Sequence, residues 1–211
     1  MDGVVESKTL HGRLILAVGA LISIYVLIFM QPQEHNEMLR KEISNIEKAI
    51  STEATMVVVF RAKGWYEATM VKSGLAAFID QYHQDTGLKG DQLWRTPLTR
   101  ISQNIKTIWY QCLLRLSLLI FWFWMAIGLI AASAVDGLMQ RKIKQHEFTA
   151  PSTGYFRLAL WSGILVVILL ELYCVTPAFI SNELFPLFPL FAAVIIGWLL
   201  KTTLANSAKN M

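Results

Sequence analysis

Residues 112–135 read CLLRLSLLIFWFWMAIGLIAASAV, and this run decides the fold. As a helix rising 1.5 Å per residue it is long enough to cross a bilayer, and its single charge, Arg115, lies near its start. Three further apolar runs flank it: Leu14–Met30, Leu158–Ile180 and Leu184–Leu200. Across the 211 residues, hydrophobic side chains make up 55% and charged ones 16%, against roughly 25% charged in a soluble domain. Mean hydropathy is +0.46. A disordered chain, a cysteine-stapled secreted module and a soluble globule are excluded. The expected fold class is an all-α integral membrane protein: four transmembrane helices, with a helical extracytoplasmic domain inserted between spans one and two.

Orientation follows from the short segments. The arm 1–13 carries Lys8 and Arg13, the loop 136–157 carries Arg141, Lys142, Lys144 and Arg157, and the tail 201–211 carries Lys201 and Lys209. The turn between spans three and four holds only Glu183. Placing both termini and the basic loop inside satisfies the positive-inside rule and leaves residues 31–111 outside. The QPQEHNEM stretch after Met30 offers no small-residue cleavage site, so span one reads as an uncleaved anchor.

In the outer segment, Leu39, Ile43, Ile46 and Ile50 lie at helical spacing, one apolar stripe on a helix that rests on its neighbours or on a coiled-coil partner. Thr55–Phe60 is β-branched enough for a strand, but nothing nearby could pair with it, which favours helix. Thr96-Pro97 reads as an N-cap and first helical residue, starting a helix expected to run to Val135. Trp109 and Tyr110 fall where an outer aromatic belt would sit. Trp122 and Trp124 lie in the middle of the run, where packing on a helix, a partner or lipid is expected instead.

Glu171 is an acid inside the third run, costly unless neutral, paired or solvated, and an intramembrane pair with Arg115 or a contact with a partner subunit is expected. Small-xxx-small steps at Gly19–Ser23, Gly128–Ala132, Ala159–Gly163 and Ala193–Gly197 would allow close helix approach. Cys112 and Cys174 are expected to be free thiols. The spacing of His, Cys, Asp and Glu suggests no metal site and no cofactor, and there is no phosphate-cradling glycine loop.

The inner loop, VDGLMQRKIKQHEFTAPSTGYFRL, has Asp136-Gly137 where the span closes or its helix bends. Leu138, Met139 and Ile143 then alternate with Arg141, Lys142 and Lys144. That suits a short amphipathic helix on anionic lipid, or docking of a cytoplasmic protein with Pro151–Gly154 as an exposed turn. Asp136-Gly137-Leu138, Arg141-Lys142-Ile143-Lys144, Glu147, Pro151-Ser152 and Tyr155 together resemble an uncharacterised inner-membrane family of integrating conjugative elements and large conjugative plasmids. That family shares the plan of one N-terminal span, a long outer region and three more spans. Tyr155-Phe156-Arg157 stands where a Tyr-His-His-type run is expected.

The resemblance implies an inner-membrane subunit of a conjugative type IV secretion system, some members of which associate with the coupling ATPase. The leading expectation is a non-enzymatic assembly or adaptor subunit in a hetero-complex, in contact with membrane lipids and compatible with homo-oligomers. Arg141, Lys142, Lys144, Tyr155 and Arg157 are its expected partner or lipid contacts. The alternative is a small-molecule transporter or its accessory subunit, disfavoured because the four spans show no inverted repeat. An intramembrane enzyme lacks a nucleophile with an adjacent base. Direct nucleic-acid binding is not expected, since lipid contact accounts for the loop's charge.

Overall fold

The computed structural model describes residues 21, 24–81, 91–147, 152–175 and 183–207. Most of the first apolar run, 14–30, therefore lies outside the described residues, as does the step Gly19–Ser23. No strand occurs among the described residues. The helices are α1 (Pro32–Ile50), α2 (Thr52–Tyr66), a π-helical turn (Glu67–Val71), α3 (Leu75–Gln81), α4 (Asp91–His146), α5 (Thr153–Val175), a 3₁₀ turn (Phe185–Leu187) and α6 (Phe188–Asn206). Among the described residues three stretches, Thr96–His146, Thr153–Cys174 and Phe185–Asn206, are long and apolar enough to cross a membrane. They mark the chain as a membrane protein.

The chain forms two compact units. The first comprises residues up to Leu118 together with Leu172–Pro186. Pro32 opens α1 after an extended Gln31, where a missing N–H costs nothing. Ser51, at φ 91°, turns the chain between α1 and α2, and its carbonyl accepts from both Thr55 N and Thr55 Oγ1. Thr55, Val58 and Ala62 form the buried face of α2, so the β-branched stretch is helical. Ser117 Oγ donates to Val58 O at 2.9 Å, fixing α2 against α4. Toward the N-terminus of α4, Tyr110 meets Tyr66 edge-on, Trp109 Nε1 donates to Thr69 Oγ1 at 2.9 Å, and Lys106 pairs with Asp80 at 2.6 Å. Tyr110 thus packs within this unit, whereas Trp109 bonds to Thr69 and stays exposed. Leu113, Leu114 and Leu118, read above as the start of a membrane run, are buried here.

The second unit comprises Leu119–Glu171 and residues from Leu187 onward. Ala159, Val166, Ala192 and Leu199 form its core. Large apolar side chains such as Phe123, Trp124, Leu160, Val194 and Trp198 stay exposed, the distribution expected where lipid replaces water. α4 and α6 run parallel here. A Cβ on Gly197 would lie 2.9 Å from Ser133 Oγ, and one on Gly137 would lie 2.8 Å from Lys201 O. Both contacts have the same offset, so Phe188, the first residue of α6, is level with Trp124.

Three local expectations are corrected. α4 begins at Asp91, so Pro97 sits inside it rather than at its first position. α4 also passes unbroken through Asp136-Gly137 to His146, absorbing the amphipathic segment. Gly137 is there because the α6 backbone crosses at that point, not because the helix ends. Finally, Thr153 and Gly154 are the first helical residues of α5, and Ser152 Oγ accepts from Tyr155 N at 3.4 Å.

Candidate functional site

The largest fully buried side chain of the described residues is Arg115. Its Nε and Nη2 donate to Glu42 Oε1 and Oε2 at 2.6 and 3.1 Å, and its Nη1 donates to Tyr173 O at 2.6 Å. Phe185 and Tyr173 stack on the guanidinium, with ring centroids 4.5 and 5.3 Å from Cζ. A fork of donors on a carboxylate, with aromatic faces over the cation, is the arrangement for which arginine is suited and lysine is not. The structure thus gives Arg115 a carboxylate from α1. Glu171, its expected partner, has its side chain outside the described residues.

Glu42 is held from a second direction. Gln111 Nε2 donates to Glu42 Oε2 at 2.9 Å, and Gln111 Oε1 faces His35 Nε2 at 3.4 Å. This orients the Gln111 amide, with His35 Nε2 as the donor. Burial holds the His35 imidazole below its ordinary value, against the opposing pull of Gln111, Asn104 and Glu42. His35 is therefore neutral at neutral pH. Two turns before Gln111, Asn104 Nδ2 donates to Val26 O, Leu27 O and Met30 O at 3.1, 3.3 and 2.9 Å, closing the C-terminal carbonyls of the preceding helical segment. The face of α1 that carries these groups is His35, Leu39, Glu42 and Ile46. Glu42 lies three residues after Leu39 and four before Ile46, on the apolar stripe itself. An acid in that register requires a buried cation, and that signal could have located the pair.

The second group lies at the C-terminal end of α4. Lys144 Nζ donates to Asn206 Oδ1 at 2.8 Å, and Lys201 pairs with Asp136 at 2.5 Å. Lys142 and Arg157 are exposed, while Arg141 and Lys144 are partly covered. Lys144 and Tyr155 line one cavity of about 320 Å³, together with Ser162 and Trp198. Arg141, Lys142 and Arg157 lie outside its lining. Of the expected packing residues, Gly197 faces Ser133, whereas a Cβ on Gly128 or Gly163 would meet nothing within 4 Å and Ala132 is exposed. Neither Cys112 nor Cys174 is in a disulfide. Among the described residues no three His, Cys, Asp or Glu side chains are grouped to hold a metal.

No curated protein and no solved structure matches the chain. One family model does, that of the IncC plasmid conjugative DNA transfer protein DtrJ-like, over residues 28–207. The match includes both the Arg115–Glu42 pair and the basic end of α4. The chain belongs to the DtrJ-like family, and its role lies in conjugative DNA transfer.

Proposed function

We propose that the protein is a non-enzymatic assembly or adaptor subunit in the bacterial inner membrane, holding the coupling ATPase of a conjugative type IV secretion system. The observation that carries this reading is α4 itself. One unbroken helix of 56 residues, about 84 Å at 1.5 Å per residue, bears the buried Arg115 anchor and ends in Arg141, Lys142 and Lys144. Such a helix carries the anchor of the packed first unit and a basic docking surface on one continuous backbone. Glu42 supports the non-enzymatic reading, because a carboxylate gripped by a guanidinium and an amide is a poor general base.

The proposed topology has four spans and both termini in the cytoplasm. α4 crosses the bilayer beside α6, from about Trp122 to Arg141, since ~20 residues fill the hydrocarbon layer. Trp122 and Trp124 then stand at the outer interface. Single cysteines at Lys63 and Lys142, in a chain lacking Cys112 and Cys174, test this. Position 63 should react with an impermeant thiol reagent in intact spheroplasts and position 142 only after lysis; equal labelling rejects the topology.

The docking surface is tested by Arg141→Gln with Lys142→Gln. Lys144 is left in place because it bonds Asn206. The double variant should recover about tenfold less ATPase on co-purification, and DNA transfer should fall with it, at unchanged membrane level and thiol access. Tenfold corresponds to ~1.4 kcal/mol of lost contact. Unchanged recovery and transfer remove this end of α4 from the docking surface.

A further inference from the structure

The cavity beside Lys144 has a polar mouth and apolar walls. Asn206 sets the mouth: its Nδ2 donates to Thr202 O at 2.8 Å, which turns its Oδ1 toward Lys144 Nζ, also at 2.8 Å. One of the three donors of the ammonium is thereby occupied, and the group is fixed in position at the edge of the cavity. The hydroxyls of Tyr155 and Ser162 belong to the same lining. Tyr155 lies in the first turn of α5, whose N-terminal end adds positive potential. The remaining walls include Leu158 and Trp198, each 64% exposed, so the cavity is continuous with the apolar outer surface of the second unit. At ~30 Å³ per water, its volume corresponds to about ten waters, too much for a single small ion.

One cation and hydroxyls at the mouth, above an apolar wall open to lipid, match a molecule that is anionic at one end and hydrocarbon at the other. A free phosphate would use the mouth and leave the wall unoccupied. We propose that this cavity binds one anionic phospholipid, with its phosphate on Lys144 and one acyl chain along Leu158 and Trp198. The site concerns lipid and stands apart from the docking of an ATPase. It is tested on purified protein in which no ATPase is present.

The measurement is native mass spectrometry of the full chain in detergent, titrated with phosphatidylglycerol or phosphatidylcholine. The wild type should retain one phosphatidylglycerol tightly. Lys144→Gln should weaken that binding about tenfold and leave phosphatidylcholine unaffected, while Lys144→Arg keeps the preference. Ser162→Leu, which places a larger side chain in the lining and reduces the cavity volume, should weaken both lipids with helix content unchanged. Inorganic phosphate in excess should not displace the lipid. Displacement by phosphate, with phosphate alone binding in a Lys144-dependent manner, would overturn the proposal in favour of a free-phosphate site. Equal retention of both lipids by the wild type and Lys144→Gln would overturn it as well.

Discussion

Arg115→Leu is expected to cost about 3–5 kcal/mol of stability, because it leaves the Glu42 carboxylate buried without its cation. Arg115 is 0% exposed and Glu42 1% exposed, so water cannot replace the lost partner without opening the bundle. The same change removes the donor to Tyr173 O, a second buried group left without this bond. The loss would appear as a fall of about 6–20 °C in the apparent melting temperature of detergent-solubilised protein. Glu42→Leu should be damaging for the converse reason. The double variant, Arg115→Leu with Glu42→Leu, should recover much of the loss, since two apolar side chains leave no stranded charge. Additive losses in the double variant would show that the pair is not coupled and that each side chain acts through its packing alone.

Gly137 carries the second large effect. A Cβ there would lie 2.8 Å from Lys201 O and 2.9 Å from Lys201 Cα, both backbone atoms of α6 that cannot rotate away. Gly137→Ala gains up to ~1 kcal/mol of helix propensity yet should be destabilising overall by about 1–3 kcal/mol, since the two helices must separate. Gly137→Leu should prevent α4 and α6 from closing and also break the Asp136–Lys201 pair beside it. Gly128→Ala is the internal control. Nothing lies within 4 Å of its Cβ position, so propensity acts unopposed and the variant should be neutral or slightly more stable. Thermal unfolding of the three variants in one detergent checks the order. A Gly137→Ala protein as stable as Gly128→Ala would mean that α6 does not cross at this point.

Membership of an all-helical, membrane-spanning class was legible in the apolar runs, because run length and hydropathy respond to the solvent rather than to any one contact. The resemblance in the inner loop likewise led to conjugative DNA transfer. Details set by tertiary contact were not legible. Pro97 carries a strong local start signal, but the helix begins earlier at Asp91 and incorporates it. Gly137 resembles a helix terminus in sequence, and only the position of Lys201 in the fold reveals a crossing point. Glu42 was hidden for another reason. Its neighbours at i−1 and i−2 are Lys41 and Arg40, so it reads as part of a solvated charge run unless its register with Leu39 and Ile46 is counted. Leu113 and Leu114 were apolar in either reading, and hydropathy cannot tell burial inside the first unit from burial in lipid.

Arg115 also sets a schedule for biosynthesis. Its carboxylate partner precedes it in the chain, but the carbonyl of Tyr173 follows 58 residues later. At ~5–20 residues per second, a ribosome takes about 3–12 s to deliver it. During that interval the nascent first unit has its ion pair but lacks the segment Leu172–Pro186 that completes it. A chain truncated after α4 would therefore be left at this halfway stage, with an arginine donor lacking its carbonyl and the aromatic cover of Phe185 missing.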